Sequence, residues 1–275
     1  MNSVWLKKTA VFLVVCALIF SGCKTKPEIE EPTWRLLKQK AVVFEDGNYA
    51  DLFAQDYSGT SYKYRLPDGT DLLTENTYGP DSVYVLGIES LDDVDDADKE
   101  KIKDYYNKRG LLYDIESEVK RAYEEYLRCS NSDDEFSSFM VDQSVSPTAS
   151  NENIICFITT VLLSIDSKTG QEIRLGEVFD RNTGEYIDNW QLFSISEAEV
   201  RAKFHEIFNI KDTALADEMR NAIKAENIIV FPGKLQVDFP QGVLTSQKYS
   251  YIVSAEMYKI LDCLQPWAIM DDNKY

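Results

Sequence analysis

The run NIICFITTVLLSI, residues 153–165, is apolar on both of its faces, and the neighbouring sequence is interpreted outward from it. A strand with this pattern is typical of the middle of a sheet that is covered on two sides. The segment DSKTG follows at residues 166–170 as a turn signal, and strand-like residues return over positions 171–175. The two runs therefore predict a β-hairpin.

The sequence after the hairpin predicts a mixture of helices and strands. A turn is predicted at residues 180–184. Ser196 and Glu199 then have the spacing of a capping box, which predicts the start of a helix. The expected buried face of that helix consists of Val200, Phe204, Ile207 and Phe208. The later elements are a polar helix at 212–225, strands at 227–231, 234–239 and 249–253, and a final helix from Ser254 with Met257, Tyr258, Leu261 and Leu264 as its apolar stripe.

The sequence before the hairpin has a similar mixed pattern. The predicted elements are a helix or strand at 34–44, strands at 57–66 and 82–88, a turn at 67–69, and helices at 98–109 and 113–128. Residues 129–151 are polar and rich in Ser and Asp, which favours a long loop or a boundary between two halves. We therefore predict an α+β fold in which an antiparallel sheet packs with helices, with the option of two subdomains. The corresponding modules are 34–130 and 152–268.

The first residues have the pattern of an export signal. Lys7 and Lys8 precede an unbroken apolar run of eleven residues at 10–20, and Cys23 follows after Ser-Gly. The run is too short to span a bilayer as a helix, which needs about 20 apolar residues. The pattern predicts a lipoprotein signal peptide over residues 1–22, cleavage before Cys23, and acylation of that cysteine, for example with palmitate. Phe20 stands where leucine is commonest, so an ordinary secretory signal or a short uncleaved anchor remains the alternative.

The charge of the chain fits an exported, membrane-anchored protein. Residues 23–33 are polar and contain proline, as expected of a tether to the membrane. Loss of residues 1–22 removes two lysines and no acid, so the formal net charge changes from −18 to about −20. Such a surface repels nucleic acid and favours cationic partners, although acidity also keeps exported proteins soluble. We expect an extracytoplasmic location, at the cell surface or in the periplasm.

Three cysteines remain after Cys23, and an odd number cannot all pair within one chain. Cys156 lies in the apolar run and is expected to be a buried free thiol. A disulfide between Cys129 and Cys263 is the open alternative to three free thiols in an oxidising compartment.

The sequence lacks the familiar catalytic patterns. Its single histidine, His205, is expected on the helix surface and cannot form a histidine-based zinc site. The acidic run at 92–98 lacks the glycine and the final glutamate of an EF-hand loop. There is no GxSxG elbow and no glycine-rich phosphate loop. We therefore expect a protein that is not an enzyme, without a metal or cofactor. Four aromatic residues are candidates for glycan stacking, with core packing as the alternative: Tyr62, Tyr64, Trp190 and Trp267.

Residues 165–175, IDSKTGQEIRL, continue to Glu177-Val178-Phe179, and this order resembles a known family. The segments at 228–231, 235–240, 251–253 and 256–261 follow in the order that closes that family's domain. The family is the extracytoplasmic domain of the lysozyme-sensing anti-sigma factor RsiV, which is shared with the accessory region of the peptidoglycan deacetylase PdaC. The resemblance covers about residues 153–267.

The sequence also departs from that family. It has Gln241-Gly242 where the family favours an aromatic residue after the proline. It carries neither the sigma-binding segment nor the deacetylase domain with its metal-binding histidines, so neither activity is expected. The resemblance implies a non-catalytic envelope binding protein, with lysozyme or peptidoglycan as candidate ligands. The alternatives are a cell-envelope hydrolase that uses paired carboxylates and a structural envelope lipoprotein.

Overall fold

The computed structural model describes residues 33–55, 61–76 and 85–270. All the elements below belong to the unit Trp34–Tyr275. Cys23, the signal peptide and nearly all of the tether lie outside the described residues. The described strands are β1 Trp34–Val43, β2 Tyr49–Gln55, β3 Ser61–Arg65, β4 Asp71–Asn76, β5 Phe139–Ser150, β6 Ile154–Ser164, β7 Gly170–Asp180, β8 Tyr186–Ile187, β9 Ile228–Phe231, β10 Lys234–Phe239 and β11 Tyr251–Glu256. The described α-helices are α1 Asp96–Arg109, α2 Ile115–Ser130, α3 Glu197–Phe208 and α4 Thr213–Ala222.

Strands β1 to β8 form one sheet in chain order, and β11, β10 and β9 form a second, smaller sheet. Neighbouring strands are antiparallel except for β4 and β5, which are parallel. A parallel pair needs a long crossover between its strands. Helices α1 and α2 lie in that crossover, so the α+β prediction is confirmed with one parallel pair added to the sheet.

The predicted loop at residues 129–151 is wrong, because most of this segment forms β5. Its alternate side chains Phe139, Val141 and Val145 are buried, which is the two-residue period of a strand. Serine and aspartate occupy the intervening positions and obscured this period in the sequence. The strand places the residues on either side of it in one sheet. The module limits of 34–130 and 152–268 stay a prediction.

Most of the other predicted elements are confirmed. The hairpin is β6–β7, and residues 34–44 form a strand rather than a helix. Helix α1 ends at Gly110, which has a φ of 71° and donates its N–H to the Tyr106 carbonyl at 2.8 Å. The capping box at the start of α3 is present.

Two predicted elements are wrong. Within the described part of residues 82–88, Val85 makes an isolated bridge to Val145 instead of belonging to a strand. Gly87 then adopts a φ of 69°, and this left-handed conformation redirects the chain into a short 3-10 helix at Ile88–Ser90.

The helix predicted from Ser254 is also absent. Strand β11 continues to Glu256, because its pairing with β10 extends to Lys234 at the end of that strand. Three short 3-10 turns follow at Met257–Lys259, Leu261–Cys263 and Pro266–Ala268.

The two sheets meet where β9 lies against β5, β6 and β7. A Cβ atom at Gly176 would lie 2.1 Å from the Ile228 carbonyl oxygen, so the backbones approach too closely for any other residue. Asn189 is fully buried, and its Nδ2 donates to the carbonyl oxygens of Gly176, Ala225 and Ile228 at 2.9, 3.1 and 2.8 Å. These bonds satisfy backbone acceptors that the close approach removes from water.

Cys129, Cys156 and Cys263 are free thiols, so the alternative disulfide does not form. Cys156 is buried as predicted, and burial raises the pKa of its thiol well above the usual value. Within the described ranges, no helix combines the length and the apolar character needed to cross a membrane.

We predict that Gly176→Ala lowers the free energy of unfolding by about 1–3 kcal/mol, because the new methyl group forces β7 and β9 apart. Chemical denaturation followed by circular dichroism measures this change. Gly170→Ala is the matched control, since its Cβ would lie 3.5 Å from the Leu163 carbonyl oxygen, an ordinary contact. Equal stability of both variants would contradict the close approach.

Candidate ligand-binding cleft

The middle strands of the large sheet have one face covered by α1 and α2, and the opposite face packs against the small sheet, α3 and α4. Gln143 on β5 contacts the turn between α1 and α2, where it accepts a hydrogen bond from the Leu112 N–H at 2.7 Å. Side chains alternate along a strand, so the neighbouring Asp142 belongs to the opposite face. Asp142 pairs with Leu162 on β6, and Leu162 pairs with Glu172 on β7. These three side chains therefore lie side by side on the face opposite α1 and α2.

The small sheet forms a wall beside this face. Its strand β9 contacts the large sheet, and β11 is the strand farthest from it in the sheet order. Arg174, two residues from Glu172 on β7, brings Nη1 to 3.9 Å from Oδ2 of Asp238 on β10. We define the cleft by the residues of this floor and wall: Met140, Asp142, Leu162, Glu172, Arg174, Gln236 and Asp238.

Two of the acids share Arg174. Its Nε lies 2.9 Å from Oε1 of Glu172. Asp238 is 4% exposed and also accepts a hydrogen bond of 2.8 Å from Nε2 of Gln236. Burial raises the pKa of the Asp238 carboxyl, and the contacts with Gln236 and Arg174 oppose that rise. Burial thus outweighs the stabilisation that the neighbouring groups give to the ionised form.

The third acid, Asp142, has fewer hydrogen-bond and ion-pair partners than Glu172 and Asp238. Its Oδ1 is buried and has no hydrogen-bond partner in the part of the chain that the structure describes. Burial raises the pKa of this carboxyl. The cleft therefore carries three carboxyl groups and one cation, and one of those carboxyls has a buried oxygen without a bond.

An apolar groove that includes Glu172 lies at the start of β5. Met140 is 46% exposed and lines the groove with Leu162 and Glu172. The open volume is about 230 Å³, which has room for a long side chain. The backbone around the groove comes from residues 163–164 and 170–171. An apolar slot with the Glu172 carboxylate in its lining fits the hydrocarbon stem and charged head of a lysine or arginine.

The same face continues onto β1 to β4, where cations lie over aromatic rings. Lys63 Nζ is 4.4 Å from the centre of the Trp34 ring, and the Arg65 guanidinium is 5.0 Å from that of Phe53. Asp71 binds both cations, at 2.6 Å from Lys63 and 2.5 Å from Arg65. In this part of the face the charge of Asp71 is compensated by Lys63 and Arg65, whereas the cleft has more carboxyl groups than cations.

The aromatic residues singled out from the sequence do not form a common stacking surface. Tyr64 is buried in the core, and Tyr62 pairs with Glu75 on the face that the helices cover. Trp190 and Trp267 are partly buried against the larger core. His205 is also partly buried, in a small cavity between α3 and α4, rather than on the open surface.

A second charged cluster lies on the helix-covered face and holds α1 to the sheet. Glu177 on β7 forms an ion pair with Arg109 and accepts a hydrogen bond of 2.9 Å from Thr159. Arg109 also donates to Thr159 at 2.7 Å. Burial raises the pKa of Glu177, and Arg109 opposes the rise. Glu177, Arg109 and Thr159 pair with one another, although Arg109 Nε makes no hydrogen bond within the described residues, so the cluster has the character of a structural ion pair. Its partners come from three separate segments, and no local sequence pattern identifies it.

The acidic run at 92–98 lies around the N-terminus of α1, where its charge favours the helix dipole. Asp93 is 3.4 Å from Arg181 and Asp98 is 3.0 Å from Lys101. Within the described ranges, no three potential ligand side chains are grouped as a metal site.

No protein-family model and no curated protein matches this chain. Among solved structures, the fold is similar to that of a DUF3298 family protein from Pseudomonas aeruginosa PAO1, with a TM-score of 0.40 and 11% sequence identity. The alignment covers 88% of this chain and 98% of that chain. A likeness this distant assigns the chain to no family.

We predict that Asp142→Asn raises the melting temperature at pH 7 and that this gain shrinks toward pH 4. The carboxyl has a higher pKa in the folded state than its ordinary value of 3.8, so the folded chain binds its proton more tightly. Its contribution to stability is therefore favourable below the unfolded pKa and is lost as the pH rises through the folded value. Asparagine removes this dependence.

Thermal melts from pH 4 to pH 8 test this prediction, with Asp133→Asn at an exposed position as the control. An equal or lower melting temperature for Asp142→Asn at pH 7 would show that the carboxylate has a favourable partner.

Proposed function

We propose that this chain is a lipid-anchored, non-catalytic binding protein of the cell envelope whose ligand is a cationic protein. The cleft is the binding site in this proposal, and an arginine or lysine of the ligand occupies it. Lysozyme is the candidate ligand.

The observation that carries the proposal is the charge imbalance of the cleft. Glu172 and Asp238 share a single cation, Arg174, and Asp142 lies on the same face with a buried oxygen that has no hydrogen bond within the described residues. A buried carboxylate without full compensation is costly, and a cation supplied by a ligand offsets that cost on binding. The adjoining groove gives the stem of the same side chain an apolar contact.

The overall charge supports the same class of ligand. A net charge of −18 attracts cationic proteins over distances of about a Debye length and accelerates their encounter. Charge complementarity of this kind contributes more to the rate and specificity of association than to raw affinity. Affinity then depends on the local contacts of the cleft.

The resemblance of residues 153–267 to the RsiV-type domain supports lysozyme in particular. The segment IDSKTGQEIRL of that resemblance forms the β6–β7 turn and the start of β7, which contains Glu172 and Arg174. The residues that carry the resemblance thus include part of the cleft floor.

The anchor is supported by the sequence pattern around Cys23. Two lysines, an apolar run of eleven residues and a cysteine in that order are typical of exported lipoproteins. Two or more acyl chains give durable membrane attachment. The binding domain then faces the cell wall or the periplasm.

We predict that Cys23→Ala abolishes incorporation of radiolabelled palmitate and moves the protein out of the detergent fraction of Triton X-114. The reason is that the thiol is the attachment point of the lipid. Cys129→Ala, a free thiol of the folded domain, is the control and keeps the label. Persistent labelling of Cys23→Ala would exclude lipidation at this residue.

We predict that a soluble chain beginning at Lys24 binds hen egg-white lysozyme with one-to-one stoichiometry. Titration calorimetry at 50 and 150 mM NaCl measures the affinity, which falls at the higher salt concentration because the contact is electrostatic. The double variant Asp142→Asn/Glu172→Gln weakens binding about tenfold or more, because it removes charges that pair with the ligand cation.

Glu206→Gln, an exposed acid on α3, is the matched control and retains wild-type affinity. Equal weakening by this control would indicate attraction by net charge alone and would remove the cleft from the proposal. Absence of binding at both salt concentrations would exclude lysozyme as the ligand.

A carboxylate-based hydrolase is the second candidate, because two acids with raised pKa, Asp142 and Asp238, line one cleft. Glu172, the third acid of the cleft, is separated from Asp142 by one strand, so the Cα atoms of these two residues are about 10 Å apart. Release of reducing sugar from purified cell walls by the wild-type chain, lost in Asp142→Asn, would favour this candidate over binding alone.

A further inference from the structure

Strand β1 lies at the edge of the large sheet, with β2 as its one neighbour among the described strands. All six residues from Arg35 to Lys40 are exposed. A strand that covers a core has a buried face, so this part of β1 extends past the core on both of its faces. Leu36 and Leu37 are 42% and 44% exposed and are neighbours in the chain. We call the surface from Trp34 to Lys40 the β1 edge.

The β1 edge lies in a basic part of an acidic protein. Strands β1, β2 and β3 contain five cations and one acid, Asp51, in a chain of net charge −18. Asp71 on β4 compensates part of this charge, because it forms ion pairs with Lys63 and Arg65. Five cations against these two acids leave a net charge of +3. The five cations are Arg35, Lys38, Lys40, Lys63 and Arg65.

The other described acids near these strands lie away from the β1 edge. Glu75 on β4 is buried and accepts a hydrogen bond of 2.9 Å from Tyr113 on the face that α1 and α2 cover. Glu45, Asp46 and Asp68 lie in the turns that follow β1 and β3, at the opposite end of these strands from the start of β1. The positive charge is therefore concentrated toward the end of β1 at which the domain begins.

Aromatic rings accompany the cations of the β1 edge. Lys40 Nζ lies 5.0 Å from the centre of the Tyr49 ring, and Lys63 Nζ lies 4.4 Å from that of Trp34. Tryptophan and tyrosine are enriched where an apolar phase meets water, because their rings have an apolar body and a polar tip. Lysine extends a charged head from an apolar stem and is suited to the same boundary.

Backbone irregularities make the β1 edge a poor template for another strand. The pairing of β1 with β2 shifts register between Leu36 and Lys38 and again between Lys38 and Val42. Lys40 has a φ of 49°, and its N–H donates to Oδ1 of Asp51 at 2.7 Å. Bulges and bends of this kind interrupt the regular row of backbone groups that an added strand needs. A partner of the β1 edge therefore contacts its side chains rather than its backbone.

The charges disfavour a second copy of the chain as the partner. In an antiparallel pair of β1 edges centred between residues 37 and 38, Arg35 of each copy lies opposite Lys40 of the other. Like charges directly opposite each other destabilise such a pair. A cationic protein is repelled for the same reason. The cations and the leucines together fit a surface that is anionic at its boundary and apolar beneath it.

The position of the β1 edge in the chain brings it close to a surface of that kind. Trp34 follows Cys23 by eleven residues, which span at most about 40 Å when fully extended. With the lipid of Cys23 in a bilayer, the domain begins within that distance of the headgroups. The tether also keeps the local concentration of the bilayer high, so that a contact of low affinity is still occupied.

We propose that the β1 edge docks on the anionic phospholipid surface of the membrane that holds the anchor. Leu36 and Leu37 enter the boundary between headgroups and acyl chains, where burial of apolar area adds to electrostatic attraction. Lys38 and Lys40 bind lipid phosphates by charge-assisted hydrogen bonds. The choice of a membrane as the partner rests on the anchor of the proposed function, and the docking surface itself belongs to the folded domain.

This docking orients the cleft away from the bilayer. Four strand spacings separate β1 from β5 and six separate it from β7 in the sheet order. At about 4.8 Å per spacing, Asp142 and Glu172 lie roughly 20–30 Å along the sheet from the β1 edge. The Debye length at physiological salt is about 8 Å, so the headgroup charge is largely screened at the cleft. The acidic cleft is therefore presented to ligands on the side remote from the membrane.

Flotation of the soluble chain from Lys24 with lipid vesicles tests the proposal, because this chain contains the whole unit Trp34–Tyr275 and carries no lipid of its own. We expect binding to vesicles that contain phosphatidylglycerol, and at least tenfold weaker binding to vesicles of phosphatidylcholine alone. Lys38→Gln/Lys40→Gln weakens binding to the anionic vesicles about tenfold and removes most of its salt dependence. Leu36→Gln/Leu37→Gln weakens it about tenfold and leaves the salt dependence in place. These side chains are exposed, so both variants keep the wild-type melting temperature.

Each variant has a matched control at exposed positions elsewhere in the domain. Lys248→Gln/Lys259→Gln makes the same change in net charge, and Leu111→Gln/Leu127→Gln removes two leucines that are 42% and 38% exposed. Both controls bind the anionic vesicles like the wild type. Equal weakening by a control and its test variant would overturn the proposal, because it would assign the binding to net charge or to general apolar exposure.

Brominated phospholipids give a second measurement that does not depend on the leucine variant, since bromine quenches tryptophan fluorescence at short range. Trp34 lies on the β1 edge, whereas Trp190 and Trp267 are partly buried against the larger core. We expect anionic vesicles with brominated chains to quench the wild-type chain, and Trp34→Phe to lose this quenching. Undiminished quenching in Trp34→Phe would place another surface on the bilayer.

Two further outcomes would overturn the proposal. The first is no binding of the wild-type chain to anionic vesicles. The second is a dimer in sedimentation equilibrium that Leu36→Gln/Leu37→Gln abolishes, because that result assigns the β1 edge to a second copy of the chain. Failure of the proposed function gives different results: loss of the anchor appears in palmitate labelling of Cys23, and loss of the cleft appears in the lysozyme titration. Neither measurement depends on the β1 edge.

Discussion

The close approach of β9 to β7 at Gly176 is the contact on which the shape of the domain depends. It brings two backbones together where no side chain fits, and the buried amide of Asn189 binds the carbonyl oxygens on both sides. Contacts of β9 with β5 and β6 and a shared apolar core also hold the small sheet against the large one. In this arrangement Asp238 on β10 comes within reach of Arg174 on β7. The cleft is therefore a consequence of backbone packing several residues away from its charged groups.

The two charged clusters on opposite faces of the large sheet differ in how far other side chains compensate their buried carboxyl groups. Glu177 has an arginine and a threonine as partners, so its charge is compensated within the fold. Asp142 has a buried oxygen without a bond within the described residues. The first arrangement is that of a structural ion pair, in which the opposite charge compensates the carboxylate although Arg109 Nε makes no hydrogen bond within the described residues. The second leaves an uncompensated cost in the folded state, and such costs are typical of sites where stability is traded for function.

The elements that were predicted correctly are those with a strong signal in the neighbouring residues of the sequence. The β6–β7 hairpin, the capping box at Ser196 and the helix stop at Gly110 all depend on residues within a few positions of one another. Strand β5 was missed because serine and aspartate at its outward positions look like a loop, and its pairing with β4 spans a crossover of two helices. The helix predicted from Ser254 failed because cross-strand pairing with β10 overrode a helical spacing of apolar residues. The cleft was not predictable at all. Its acids come from β5, β7 and β10, and in a chain with 47 acidic residues nothing local separates these three from the rest.

The position of the acid on the cleft wall depends on the whole small sheet. Asp238 lies on β10, the middle strand of that sheet, and its register partner on β11 is Ile252. On the other side of β10, strand β9 contacts β5, β6 and β7 of the large sheet. A change in the core beneath the small sheet is therefore expected to move Asp238 relative to Arg174, because packed interiors transmit strain.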